Sequence, residues 1–147
     1  MGQLSAKLEY ALATYLAGVV NFSAIYQGEA STTKVTPELI CSASQGSEEP
    51  PFTGNFWMEF SVLARSSFAE DVDGIDPKIA HDALAESVYN AIAVSNLPEL
   101  LTTAGNIGTG FTCMGMEAFQ LKSDPRDDVW ESTISGKLYC CPSALPA

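Results

Sequence analysis

Four cysteines and one histidine are the residues of this sequence with the greatest capacity for nucleophilic or metal chemistry. The thiols lie at Cys41, Cys113, Cys140 and Cys141, and the only imidazole is His81. None of the thiols forms a CxxC pair, so a zinc site would have to be assembled from scattered side chains. Cys140 and Cys141 are adjacent and would point to opposite faces of a strand. The spacing therefore predicts buried, reduced thiols and no metal site.

Acid–base or nucleophilic catalysis has little support in the residues around His81. This histidine falls near the start of a predicted helix, where nothing nearby in sequence offers a nucleophile. Serines and threonines are abundant, but no GxSxG nucleophile elbow accompanies them. Carboxylates are abundant too, but the sequence gives no sign of the burial that a carboxyl group needs for acid catalysis. We predict no catalytic residue and no enzymatic activity.

Two glycine-containing motifs look at first like ligand sites. GNIGTG, residues 105–110, lacks the Lys-Ser/Thr pair of a phosphate loop, and a predicted strand follows it where a phosphate loop opens a helix. EDVDGID, residues 70–76, gathers acids around a glycine, but its spacing does not fit the EF-hand loop. A linker explains the first motif, and a turn leading into a capped helix explains the second. The sequence predicts no cofactor and no bound metal.

The charge balance excludes several classes of partner. The chain has 18 acidic and 7 basic side chains, for a net charge of −11. Nucleic-acid clamps and proteins that dock on anionic membranes need the opposite balance, because Lys and Arg neutralise the phosphates. An acidic wall can still serve beside DNA, since like charge lets a duplex pass without sticking. No apolar run reaches the roughly 18–20 residues of a transmembrane helix, so we expect a soluble protein made in the cytoplasm.

The N-terminal part of the chain predicts one helix followed by extended segments. Apolar residues recur at helical spacing over 4–17, and Gly18 can end that helix. Residues 19–26 predict a short strand or an extended linker, and residues 37–43 predict a short strand. SQGSEEPPFTGN, residues 44–55, has the composition of a long loop. Loops of this length in compact domains are often functional.

FWMEFSVLARS, residues 56–66, is the clearest predicted strand. One set of alternate positions is apolar and predicts a side that faces the core of an antiparallel sheet. The other set is mixed and includes Trp57 and Leu63. This second side is therefore expected to be covered in part by something else.

The C-terminal part predicts a helix and a closing pair of strands. Asp76 is a good N-cap and Pro77 suits the first helical position. Pro98 ends or interrupts this helix. Segments 111–121 and 129–139 have the composition of two strands, and a charged turn joins them.

Together these elements predict an α+β fold. We expect a two-layer sandwich in which one mainly antiparallel sheet of about four strands has two helices on one face. The chain is expected to form a single domain over 1–147, with the long loop 44–55 and a short flexible C-terminal tail at 142–147. The acidic loop, the partly apolar outer strand face and an Ala-rich helix stripe suit a protein whose work is assembly.

The order of these elements resembles that of the tail-terminator (tail-completion) proteins of long-tailed bacteriophages. The resemblance extends from about Leu4 to Tyr139 and is most suggestive at 124–130, where the charged turn DPRDDVW leads into a Trp-led final strand. Head-completion and neck proteins have overlapping architectures and are near relatives in this respect. The cysteines and the CCPS segment are not part of the resemblance.

The resemblance implies a structural virion protein. Such a subunit would close into a homo-hexameric ring at the head-proximal end of the tail tube, end tail growth and join the tail to the neck. Its partners would be its own copies, the tail tube protein and a neck, head-completion or connector protein. DNA would pass through the acidic lumen without specific binding, and the protein would be assembled in the host cytoplasm into the virion tail. No membrane partner is implied.

Candidate interface residues come from the loop, from the mixed strand face and from the charged turn. The loop could line the lumen or reach the tube, the mixed face could contact the next subunit, and the Trp of the last strand could anchor it to the core or to a neighbour. The candidates are Glu48, Glu49, Phe52, Trp57, Leu63, Arg65, Arg126, Asp127, Asp128 and Trp130.

Two functions of other classes remain open. A small acidic, non-enzymatic binding domain would be a monodisperse monomer. An enzyme would need a cleft that brings His81 together with a thiol such as Cys113 or with a carboxylate, and alkylation of that thiol would abolish its activity.

Overall fold

The computed structural model describes residues 3–20, 24–27, 38–48, 55–66, 74, 76–105, 112–123 and 130–141. Three helices and five strands lie in these ranges, so the predicted α+β class is confirmed. In chain order they are α1 (Gln3–Val19), β1 (Ala24–Gln27), β2 (Glu38–Glu48), β3 (Phe56–Ser66), α2 (Pro77–Ile92), α3 (Leu97–Gly105), β4 (Thr112–Ser123) and β5 (Trp130–Cys141).

The described strands form one sheet in the order β1-β2-β3-β5-β4. Only the β1–β2 pair is parallel, and the other three pairs are antiparallel, as predicted. The predicted number of about four strands is too low. The short segment Ala24–Gln27, which the sequence left open between strand and linker, pairs with residues 38–41 and becomes an edge strand.

The predicted loop 44–55 is wrong over its first five residues, because Ser44–Glu48 belong to β2. Pairing with β3 continues as far as Gln45 opposite Met58, and after a bulge Glu48 lies opposite Phe56. Gly46 permits this irregular stretch, since a Cβ at that position would collide with the carbonyl oxygen of Trp57. Residues 49–54 of the predicted loop and the predicted tail 142–147 lie outside the described residues.

The prediction of two helices is also too low, because the segment after α2 forms a third. Asp76 caps α2 as predicted, with its Oδ1 accepting a hydrogen bond from the Lys78 backbone N–H at 2.9 Å. Pro98 does not merely interrupt that helix. It lies in the first turn of α3, where a missing backbone N–H has no helical partner to lose.

The core joins one face of the sheet, here called the inner face, to all three helices. The inner face has Met58, Phe60, Val62 and Ala64 on β3 and Ile134 and Leu138 on β5, all buried. These side chains form one cluster with buried leucines and Ile92 of the helices, namely Leu4, Leu8, Leu12, Leu16, Ile92, Leu97 and Leu101. Each fully buried side chain of this size stabilises the fold by about 1.5–3 kcal/mol.

An aromatic contact crosses the inner face over a glycine. Phe119 of β4 reaches over Gly136 of β5 to Phe60 of β3, where the two rings meet edge to face with centroids 5.3 Å apart. A Cβ on Gly136 would overlap the Phe119 ring. Glycine at this position therefore lets β4 and β3 contact each other across the strand that separates them.

The open edge of β2 is closed by a side chain. β1 ends opposite Cys41, and beyond it the Ala43 backbone N–H donates to Glu9 Oε2 of α1 at 3.0 Å. An unpaired strand edge invites pairing with other chains, so this carboxylate protects part of β2. Within the described ranges, no helix has both the length and the apolarity to cross a membrane.

Candidate functional site

The second face of the sheet, here called the outer face, consists of the alternate positions of β2, β3 and β5. In register, β3 and β5 place Trp57 beside Tyr139, Glu59 beside Lys137, Ser61 beside Ser135, Leu63 beside Thr133 and Arg65 beside Glu131. These side chains are half-buried or exposed, in contrast to the inner face. The outer face therefore contains Trp57, Leu63 and Arg65, three of the residues predicted to form an interface.

An aromatic pair marks one end of the outer face. The rings of Trp57 and Tyr139 are tilted by 39° with centroids 4.9 Å apart. Aromatic pairs at such distances contribute about 0.5–1.5 kcal/mol beyond the area they bury. Both rings keep part of their surface accessible, and large amphipathic rings of this kind are frequent anchors in protein interfaces.

A row of charges follows the aromatic pair. Glu59 of β3 and Glu117 of β4 both lie opposite Lys137 of β5, and all three side chains are exposed. Opposite charges across neighbouring strands contribute about 0.2–1 kcal/mol. This row is therefore a weak intramolecular contact and remains accessible to a partner.

A shallow groove of about 460 Å³ lies over the middle of the outer face. Its polar lining consists of four serine hydroxyls with one carboxylate and one ammonium at the side, from Ser42, Ser44, Ser61, Ser135, Glu59 and Lys137. The groove offers many hydrogen-bond donors and acceptors. His81 lies on the inner face instead, so it cannot act as a base for these hydroxyls.

The far end of the outer face is a buried ion-pair network around Arg65. Its Nη1 lies 3.1 Å from Glu38 Oε1, and its Nε lies 3.0 Å from Glu131 Oε2. The Nε contact is out of line for a hydrogen bond, so the attraction to Glu131 is chiefly electrostatic. The exposed fractions of these side chains are only 15% for Arg65, 3% for Glu38 and 14% for Glu131. Arg65 therefore ties β2, β3 and β5 together and is committed to contacts inside its own sheet.

His81 forms a second polar cluster, on the inner face. Its Nδ1 is 2.7 Å from Ser66 Oγ, and its Nε2 is 2.9 Å from Ser132 Oγ. Ser132 Oγ is also 3.0 Å from Ser123 Oγ. The histidine of α2 is thus joined to β3, β5 and β4. Since Ser66 and Ser132 lie 15 and 51 residues away from it in sequence, no local pattern could have identified this cluster.

The geometry of this cluster fits an anchor better than a nucleophile. A serine hydrogen-bonded to histidine is the arrangement that activates a hydroxyl. Here, however, Ser66 and Ser132 are fully buried, and only 2% of the His81 surface is accessible. Burial lowers the pKa of His81, although Asp82 and Glu131 oppose the shift. The imidazole is therefore neutral and holds α2 against the sheet.

Trp130 belongs to the surroundings of this anchor. Its ring stacks on His81 with centroids 6.5 Å apart, on the inner-face side of β5, and it is half-buried. Trp130 thus contacts a residue of its own subunit, and its contact with a neighbouring subunit stays a prediction. Arg126, Asp127, Asp128, Glu49 and Phe52 lie outside the described residues, and Glu48 is the last residue of β2.

All four cysteines are buried and reduced, as predicted. Burial, together with nearby Glu9, raises the pKa of Cys41 to about 12. A hydrogen bond with Cys113 and burial raise the pKa of Cys140 strongly. Such thiols are poor nucleophiles at neutral pH. The ring nitrogens of His81 contact Ser66 and Ser132, so among the described residues this histidine is not hydrogen-bonded to a thiol.

The described ranges contain no group of three or more His, Cys, Asp or Glu side chains placed to hold a metal ion.

No protein-family model matches this chain. No curated protein is significantly similar to it either.

Proposed function

We propose that this protein is a ring-forming assembly subunit of a bacteriophage tail, of the tail-terminator type. In this proposal the helices form one layer and the sheet the other, so that the outer face is turned toward neighbouring subunits. The observation that carries the proposal is the outer face itself. It combines a half-exposed aromatic pair at one end with an adjacent charged row on a rigid sheet, and aromatic anchors beside polar groups are frequent in protein interfaces.

Ring closure requires a head-to-tail contact that is repeated about an axis. Trp57, Tyr139 and Leu63 would supply the apolar part of this contact. Glu59 and Lys137, which are exposed and opposite in charge, would set its orientation, because charges at the rim of an interface govern specificity more than affinity. Arg65 would act indirectly, by holding the outer strands in register through Glu38 and Glu131.

The net charge of −11 suits the lumen of such a ring. DNA is repelled by a surface of its own sign and would slide through without binding. The ring would contact the tail tube protein on one side and a neck or connector protein on the other. A head-completion or neck subunit would form the same kind of ring. The position of this ring at the end of the tail is therefore part of the proposal and rests on the resemblance.

The serine-lined groove favours one other function, a small acidic binding domain. Four hydroxyls beside a carboxylate and an ammonium could hydrogen-bond a small polar ligand or a polar peptide. Such a domain would work as a monomer, and its groove would remain open to solvent. The oligomeric state therefore separates the two functions.

The test is the absolute mass of the purified protein by light scattering over a concentration series, followed by negative-stain imaging. We expect a shift toward about six subunits and ring-shaped particles, alone or on purified tail tubes. Glu59→Lys should weaken this assembly. Glu86→Lys, on the exposed side of α2, changes the net charge by the same amount and should leave assembly unchanged.

Two results would contradict the proposal in different ways. A monomer at every concentration that also ignores tail tubes would exclude the ring and favour the binding domain. Rings that form equally well in both variants would support ring assembly. They would also show that the outer face is not the contact between subunits. Thermal unfolding of each variant shows whether a loss of assembly is only a loss of folding.

A further inference from the structure

Cys113 and Cys140 form a buried pair of facing thiols at the edge of the sheet. They lie directly opposite each other in the β4–β5 register. Cys113 is 5% exposed and Cys140 is fully buried, and the Cys113 thiol donates weakly to the Gly115 carbonyl at 3.9 Å. Directly opposed residues on antiparallel strands are separated by about 4.5–5.5 Å between Cα atoms. A disulfide spans Cα separations of about 4.4–6.8 Å, so the register places the two cysteines within the range that a disulfide can bridge.

Neither of the other two cysteines, Cys41 and Cys141, lies opposite another cysteine in the sheet. Cys41 lies on β2 and is separated from β5 by the whole of β3. Cys141 follows Cys140 in the same strand and lies opposite Thr112, so it points to the other face of the sheet. Cys113 and Cys140 are therefore the only two of the four cysteines that lie directly opposite each other on paired strands.

The backbone of Cys113 is also held in place from the side away from β5. Its N–H donates to Thr102 Oγ1 of α3 at 2.9 Å, and its carbonyl accepts from the same hydroxyl at 3.3 Å. The single hydrogen of this hydroxyl is shared with the Pro98 carbonyl, which is the nearer acceptor at 2.8 Å. α3 thus fixes the backbone of the edge strand at the position of Cys113.

We propose that Cys113 and Cys140 are an oxidisable dithiol, joined as a cross-strand disulfide when the protein meets a small-molecule disulfide such as oxidised glutathione. The Cys113 thiolate attacks the oxidant, forming a mixed disulfide and releasing one glutathione thiolate. The Cys140 thiolate then attacks the Cys113 sulfur of the mixed disulfide, which releases the second glutathione. The protein loses two hydrogens and two electrons, and the oxidant becomes two molecules of reduced glutathione.

Burial sets the rate of this reaction. A thiol reacts only when the oxidant can reach its sulfur, and both thiols of this pair are buried. Oxidation must therefore wait for local opening of the edge strand, where stability is lowest in a sheet. Cys113 is the attacking residue because it lies on that edge strand, whereas Cys140 lies one strand further in. The product links β4 to β5 and resists further opening.

The test uses the full chain, which is refolded in oxidised glutathione and, in parallel, incubated with it in the native state. Remaining thiols are alkylated after denaturation, and non-reducing peptide mapping identifies the linked residues. We expect one intramolecular Cys113–Cys140 disulfide, with Cys41 and Cys141 alkylated. The oxidised protein should have a higher midpoint of thermal unfolding than the reduced protein.

Matched variants separate this disulfide from general oxidation. Cys113→Ser and Cys140→Ser should lose both the linkage and the increase in the midpoint, while Cys41→Ser and Cys141→Ser should keep both. A Cys140–Cys141 linkage, a linkage between chains, or four alkylated cysteines after oxidative refolding would each overturn the proposal. An unchanged midpoint despite the expected linkage would exclude the stabilising role assigned to it.

Discussion

His81 Nε2 lies 2.9 Å from Ser132 Oγ, and through this contact the first half of α2 is fixed to the middle strands of the sheet. The opposite ring nitrogen is held by Ser66 Oγ at 2.7 Å, so both nitrogens have partners. A neutral imidazole donates through one nitrogen and accepts through the other. One serine therefore donates to the ring and the other accepts from it. A protonated imidazole would donate through both nitrogens, so one serine would have to turn its hydroxyl hydrogen away from the ring.

The pH dependence of stability follows from this cluster. Burial lowers the pKa of His81 in the folded state, so the unfolded chain binds the proton more readily. Above about pH 6.5, the ordinary histidine value, this difference has no effect. As the pH falls below that value toward the folded pKa, the histidine should destabilise the fold progressively.

Urea unfolding of the wild type and of His81→Gln between about pH 8 and about pH 5 measures this contribution. At the upper pH we expect the variant to be less stable by about 1–3 kcal/mol, because buried serine hydroxyls lose a partner. The difference should shrink as the pH falls, since only the wild type has the histidine to protonate. A difference that stays constant with pH would contradict the lowered pKa.

Removal of the Arg65 side chain should be among the most damaging single changes. Arg65→Met would remove the cation that Glu38 and Glu131 share, and breaking a buried ion pair by removing one partner costs about 3–5 kcal/mol. Chemical denaturation of Arg65→Met against Lys122→Met measures this cost. Lys122 is exposed on β4, so its replacement should change stability by no more than about 0.5 kcal/mol. Adding Glu38→Gln and Glu131→Gln to Arg65→Met should restore part of the loss; an unchanged loss would argue against an electrostatic origin.

Gly136→Ala should destabilise the protein through a steric conflict with Phe119. The added methyl group would overlap the Phe119 ring, and overpacking of this kind costs about 1–3 kcal/mol. Gly18→Ala is the matched control, since nothing lies within 4 Å of a Cβ there and alanine suits a helix better than glycine. In a double-mutant cycle, Phe119→Leu should reduce the cost of Gly136→Ala. Independent effects of the two changes would show that the strain lies elsewhere.

The parts of the fold that depend on local patterns could be predicted from the sequence. Alternation over 56–66 predicted β3, and Asp76 with Pro77 predicted the start of α2. The errors arose where pairing partners decided the outcome. Ser44–Glu48 have the polar composition of a loop, but they continue β2 because β3 offers a partner strand for that length. The third helix was missed because Pro98 was interpreted as a stop, although it also suits a first turn.

The candidate site was only partly predictable for the same reason. Trp57 and Leu63 were chosen from the alternation of one strand, and both lie on the outer face. Tyr139 and Lys137 belong to that face only through the β3–β5 register, which no sequence pattern specifies. The dithiol was missed because Cys113 and Cys140 are far apart in sequence, and only the hairpin of β4 and β5 brings them together.

Thr102→Val tests how α3 controls the edge strand. Valine keeps the shape of threonine but cannot bond the Cys113 backbone, so a buried N–H loses its partner at a cost of about 1–3 kcal/mol. The substitution should chiefly lower the free energy needed for local opening of β4, because the hydroxyl holds this strand to α3. We therefore expect native-state alkylation of Cys113 to accelerate more than alkylation of Cys41, which lies on β2. Thr103→Val, at an exposed position of the same helix, should leave both rates unchanged. Equal acceleration of both cysteines by Thr102→Val would indicate global destabilisation and contradict a specific role of Thr102 at the edge.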